Sequence, residues 1–126
     1  MPSVTLRPLE GDFAICRLGA TEPEPAWASG KFVAVTRTPE ELSVICPTAC
    51  VPAGIRSASG WAAFRFEGTF AFTATGILAA ALAPLAEAGV PILAQSTFDT
   101  DYLLVPAAKR EAAISALRSA GHIVHA

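Results

Sequence analysis

From Trp61 onward the apolar residues of this chain switch between two periods in a fixed order, and that order limits the fold more than any other feature. Trp61–Phe66 places Ala62, Phe64 and Phe66 on one face at the two-residue period of a strand. From Gly76 to Ala88, Ile77, Leu78, Ala81, Leu82 and Leu85 form one helical stripe. Thr75 can cap the start of this helix, and Gly89 suits a left-handed stop. Pro84 lies inside it, where it removes one hydrogen bond and presses on the carbonyl of Ala80, so a kink is expected. Val90 to Gln95 and Asp101 to Val105 read as strands, with a turn within Ser96–Asp101. Pro106 suits the first position of a second helix reaching Ala120, with Ile114 and Leu117 inward. Gly121 ends that helix, and His122 to His125 is a short last strand. Strand, helix, strand, strand, helix, strand is the ferredoxin-like α+β plan: a four-stranded antiparallel sheet with two helices on one face.

The first half reads as a degenerate copy. At an offset of 60, Ala34–Ile45 lies over Ala94–Val105 without a gap, so that Thr36 falls on Ser96 and Glu41 on Asp101. Phe13–Leu18 resembles Trp61–Phe66 at an offset of 48, which leaves the first half 12 residues short between its first two strands. There, 19–30 carries Pro23 and Pro25 and permits only a turn of helix around Trp27. Pro47–Gly54 is likewise too short for a second helix. The reading is two ferredoxin-like βαββαβ units in tandem, 1–59 and 60–126, the first with shortened helices.

A length of 126 residues suits one typical domain or two very small ones. A net charge of −2 offers no attraction to phosphate backbones or anionic lipid, so neither nucleic acid nor membrane is an expected partner. The most apolar stretch, Ile77 to Leu93, is interrupted by Pro84, Glu87, Gly89 and Pro91, against the roughly 20 unbroken apolar residues of a membrane span. The opening MPSVTLRPLEGDF lacks a basic start followed by an apolar run, so no signal peptide is expected. Cys16, Cys46 and Cys50 form no CxxC pair and read as apolar thiols of a cytoplasmic protein. With 52% apolar and 16% charged residues, small units are expected to expose apolar area and to remedy it as a homodimer, or with a separate protein partner.

Residues for catalysis are sparse. His122 and His125, three apart on a strand, point to opposite faces and read as surface or satisfied histidines rather than metal ligands. Arg37 and Arg65 read as solubilising strand residues, and Asp99 and Asp101 either as turn residues or as a cation-binding pair. No phosphate loop or nucleophile elbow is present, so no catalysis, metal or cofactor is expected. A ligand site is better supported. The N–H groups of Gly76 and Ile77 at a helix start favour a carboxylate, and Thr73 and Thr75 add hydroxyls. Ser96, Thr97, Asp99 and Asp101 complete the candidate set, with Ser96, Asp99 or Asp101 taking a cationic group and Phe70, Phe72 and Phe98 enclosing it. Ordinary capping by Thr75 and an ordinary turn at Asp99 remain the alternative.

The stretch from Thr75 to Gly89 followed by Ser96–Val105 (STFDTDYLLV) resembles the ACT domain, and specifically the bacterial tandem-ACT proteins related to the CASTOR arginine sensors. Gly11–Leu18, the Trp27 segment and Phe32–Thr38 are similar to the N-terminal half of that group. The resemblance implies a non-catalytic module that binds a small molecule, commonly an amino acid, at a seam between domains and regulates a separate chain. A ligand-free structural or protein-interaction module is the alternative.

Overall fold

In a computed structural model, which describes residues 2–71 and 73–126, ten regular elements follow one another. They are β1 (Thr5–Pro8), β2 (Phe13–Leu18), β3 (Ala34–Arg37), β4 (Leu42–Pro47), β5 (Arg56–Phe66), α1 (Ile77–Glu87), β6 (Leu93–Ser96), β7 (Asp101–Pro106), α2 (Arg110–Ser119) and β8 (Ile123–Val124). The chain divides into an N-terminal unit, Gly11–Trp61, and a C-terminal unit made of the residues up to Glu10 together with Ala62–Ala126.

The C-terminal unit follows the expected α+β order, with β7 paired to both β5 and β6. Its sheet departs from expectation at one place. β1 lies between β5 and β8, antiparallel to the first with Leu6 opposite Phe66, and parallel to the second with Leu6 opposite Val124. The last strand therefore enters the sheet through β1: the carbonyls of Leu6 and of Val4, the residue just before β1, accept the His125 and Ile123 N–H groups at 3.0 Å. A division at 59/60 would leave β1 with the first half, whereas it packs in the second. Val4 and Leu6 fix that placement by burying alternate side chains in the core of this unit. There the two helices contribute Ala81, Leu85, Ala113, Ile114 and Leu117, against Phe64, Phe66, Leu103 and Val105 of the sheet.

Gly89 and Gly121 stop the helices at φ 72° and 93°, a conformation that only glycine adopts at little cost. The second helix starts later than Pro106. That residue ends β7 with ψ 132°, and a 3₁₀ turn, Ala107–Lys109, comes before α2. Proline fixes φ but leaves ψ free, so it fits a strand end as well as a helix start.

α1 runs unbroken through Pro84, and His122 supplies what the proline removes. The Ala80 carbonyl has no N–H at position 84 to accept; instead the buried His122 ring donates to it from Nε2 at 2.7 Å. Nδ1 of the same ring accepts the Val4 N–H at 3.1 Å, which sets the tautomer. His122 is thus a satisfied histidine joining α1 to β1.

In the N-terminal unit the strand order is β3-β4-β2-β5, all antiparallel. The shortened helices are as expected. Thr48–Cys50 is one 3₁₀ turn, and the Trp27 segment is a turn closed by the Ala28 N–H on the Pro25 carbonyl at 3.3 Å. Arg37, on edge strand β3, holds the 20–22 loop by donating to the Ala20 and Glu22 carbonyls.

The repeat is real at the level of the hairpin, but its offset is 59, not 60. Ala34 faces Ile45 as Leu93 faces Leu104, and Arg37 faces Leu42 as Ser96 faces Asp101. Thr38 and Thr97 close their turns alike, each hydroxyl accepting an N–H from the residue three positions on (Glu41, Thr100) at 3.2 Å. Pro47 and Pro106, at nearly equal dihedrals, each lead into a 3₁₀ turn. The gap-free match of apolar residues concealed a slip of one residue, which exchanges the two faces of a strand.

The core of the N-terminal unit joins Ala14, Cys16, Leu42, Val44 and Cys46, with Trp27, Val51 and Ile55 packed on them. All three cysteines are free; Cys16 and Cys46 are buried, and the half-buried Cys50 donates its thiol to the Ser29 carbonyl at 3.0 Å. Burial, with Cys16 and Cys50 nearby, pushes the Cys46 thiol up to about 11, and burial also raises Cys16. We expect iodoacetamide at pH 8 to modify at most one thiol of the native chain, Cys50, and all three after unfolding, as read by mass spectrometry. An unfolded thiol ionises near about 8.5, so stability should fall as pH rises above that value.

Among the described residues only Val33, Phe98 and Ile123 are exposed large apolar side chains. These three are fewer exposed large apolar side chains than the composition leads one to expect. No helix of the described residues is long and apolar enough to cross a membrane.

Candidate functional site

The start of α1 is held by backbone, not by a side chain. Gly76 is the N-cap at φ 76°, ψ −1°, and no side chain bonds back to the first turn. Thr75 therefore does not cap the helix; the left-handed glycine takes the capping position one residue later. The first intrahelical bond runs from the Ala80 N–H to the Gly76 carbonyl at 3.0 Å. This leaves the N–H groups of Ile77, Leu78 and Ala79 without intrahelical acceptors. The first turn has no acidic residue to offset the positive end of the helix dipole.

Facing this end in the same unit is the β6–β7 hairpin. Ser96 and Asp101 are a cross-strand pair, and the serine hydroxyl donates to Asp101 Oδ1 at 2.5 Å. Thr97 closes the turn with its own hydroxyl, which donates to the Thr100 carbonyl at 3.1 Å. The buried Thr100 hydroxyl donates to the Phe66 carbonyl at 2.9 Å, and the Phe70 N–H donates to the Asp99 carbonyl at 2.8 Å. The tip of the hairpin is thereby tied to the chain leaving β5.

Between helix start and hairpin lies a cavity of about 280 Å³. Six sequence-predicted residues line it: Gly76, Ile77, Ser96, Thr97, Asp99 and Asp101. Thr73 and Thr75 are exposed and are not part of its wall. Of the three aromatics expected to enclose it, Phe70 is half-buried in the wall and Phe98 is 80% exposed at the rim. Phe72 lies outside the described residues. Sequence reasoning missed Ala71, Ala74, Leu78, Ala79 and Thr100. The alanines carry no chemical signal, but the T-x-x-T spacing of Thr97 and Thr100 is a legible hydroxyl-closed turn.

The volume lies just below the roughly 300–1,000 Å³ typical of small-molecule pockets. Its chemistry is two-ended: helix N–H donors at one side and the Asp101 carboxylate at the other, which keeps acceptor capacity beyond its bond to Ser96. Among the described residues, no three His, Cys, Asp or Glu side chains come together as a metal ion would require.

A profile of the ACT domain matches residues 56–119, a little over half of the chain, which takes in α1, the hairpin and most of α2. The chain belongs to the ACT domain family. A second profile, for an N-terminal domain, matches residues 11–54 of this ACT-family chain. Among solved structures, an Agrobacterium tumefaciens protein is 42% identical over 99% of this chain and 94% of its own, with a TM-score of 0.94. A Vibrio cholerae protein described as of unknown function and possibly in transport is 24% identical, over 94% and 90%, at a TM-score of 0.71. The regulatory subunit of aspartate kinase from Thermus thermophilus is 14% identical, over 88% and 93%, at 0.62. The last two show the fold alone. No curated protein sequence matches the chain.

Proposed function

We propose that this ACT-family chain is a non-catalytic regulatory module that binds an amino acid in the cavity between the start of α1 and the β6–β7 hairpin. Bound there, the α-carboxylate takes the N–H groups of Ile77, Leu78 and Ala79. A cationic group goes to Asp101, with Ser96 and Asp99 beside it. The observation that carries the reading is that helix donors without intrahelical acceptors and a carboxylate line one cavity of about 280 Å³, a space suited to one small zwitterion. The resemblance to CASTOR-related tandem-ACT proteins makes arginine the first ligand to try, and the recurring hairpin supports an ACT-like N-terminal unit. With no catalytic site in the proposal, the signal passes through ligand-dependent association, with a second copy as homodimer or with a separate partner protein.

The test is the melting temperature of the chain against each of the twenty amino acids. At about 100 times its dissociation constant a ligand stabilises by about 2.7 kcal/mol, a shift of several degrees. Asp101→Ala is expected to remove most of that shift. No response to any amino acid at millimolar concentration would end the amino-acid reading. The ligand-free interaction module, which the exposed Phe98 ring at the rim favours, would then take its place.

A further inference from the structure

We infer that the N-terminal unit carries a second site, for a small carboxylate, on the sheet face that bears Arg17 and Arg56. Arg17 of β2 and Arg56 of β5 are register partners, directly opposite across an antiparallel ladder. On the other side of Arg17 stands Ser43 of β4, and beyond that Thr36 of β3, so one polar row crosses all four strands. Two like charges in facing positions repel unless a counter-charge sits between them.

The C-terminal unit shows how the chain settles that problem elsewhere. Arg7 and Arg65 face each other in the same manner, and Glu67 pairs with Arg7 at 2.5 Å. That ion pair, with Arg65 also near, holds the Glu67 carboxyl below its usual range. Arg17 and Arg56 have no such carboxylate, since the two ion pairs among the described residues are Arg7–Glu67 and Arg110–Glu111. Arg17 donates one N–H, from Nη2, to the Glu40 carbonyl at 3.1 Å, which steadies the guanidinium and leaves its other donors for a ligand.

A surface cavity of about 270 Å³ lies over this row, lined by both arginines, Glu41, Ser43, Ile15 and Ala58 among others. Two arginines and one glutamate leave one positive charge, which one carboxylate balances. The guanidinium forks match carboxylate geometry, Ser43 offers a hydroxyl, and Ile15 with Ala58 suits a short aliphatic tail. This site is independent of the proposed amino-acid cavity, which lies wholly in the other unit.

The experiment is a nuclear magnetic resonance titration of the intact chain with sodium propionate, sodium chloride holding ionic strength constant. Saturable shifts are expected at 15–17, 43 and 56–58, with binding roughly tenfold or more weaker in Arg17→Gln and in Arg56→Gln. Both side chains are exposed, so the variants should fold. Without propionate, Arg56→Gln should melt no lower than the parent, because one of two facing cations is gone. Shifts that never saturate, binding unchanged in both variants, or a lower melting point for Arg56→Gln would overturn the inference. Tighter binding of inorganic phosphate than of propionate would overturn the assignment to carboxylates.

Discussion

Replacing His122 with alanine is expected to cost about 3 kcal/mol and to lower the melting temperature by roughly 10 °C. The ring is buried and serves two backbone groups, the Val4 N–H and the Ala80 carbonyl. Each buried backbone group left without a partner costs about 1–3 kcal/mol, and the lost ring volume adds a cavity. The carbonyl needs the histidine only because Pro84 has no N–H to give it. Pro84→Ala should therefore restore more stability in the His122→Ala chain than in the parent, a coupling readable by urea unfolding in a double-mutant cycle. Loss of under about 0.5 kcal/mol in His122→Ala, or equal effects of Pro84→Ala in both chains, would show that the ring is not substituting for the missing donor.

Leu6→Ala is expected to be at least as damaging, at about 3–5 kcal/mol. Leu6 is fully buried in β1, with β5 on one side and β8 on the other, among Phe64, Phe66 and Leu103. A fragment beginning at residue 60 lacks this strand, and β8 then has no partner for the bonds it makes to the Val4 and Leu6 carbonyls. Such a fragment should show no cooperative thermal transition, and adding the 2–10 segment ahead of residue 62 through a linker should restore one. A cooperatively folded 60–126 fragment would refute the placement of β1.

The chain announces elements that are long and patterned more clearly than those that are short and shared. α1 and the β6–β7 hairpin could be read because a helical stripe and its glycine stop are local signals. β1 could not, since four residues ending in proline carry almost no period, and their partners lie more than fifty residues away. The slip from 60 to 59 in the repeat has a similar cause: the strand match scored apolar residues, while the register is set by the Thr38 and Thr97 turns. At the candidate site the polar hairpin residues and the glycine were legible because their chemistry is explicit. The alanines and the Ile77–Ala79 amides were not all so, because space and backbone direction leave no mark on composition. Thr75 illustrates the limit: hydroxyl residues cap helices well, but the left-handed Gly76 decides where this helix starts.

The most direct test of the amino-acid site is to follow the backbone amide resonances of the chain while titrating the amino acid that raises its melting point most. The account predicts that the amides of Ile77, Leu78 and Ala79 shift together with those of 96–101, along one saturation curve, and that Asp101→Ala weakens all of them alike. Saturable shifts elsewhere in the chain, with Ile77–Ala79 and the hairpin unmoved, would contradict it.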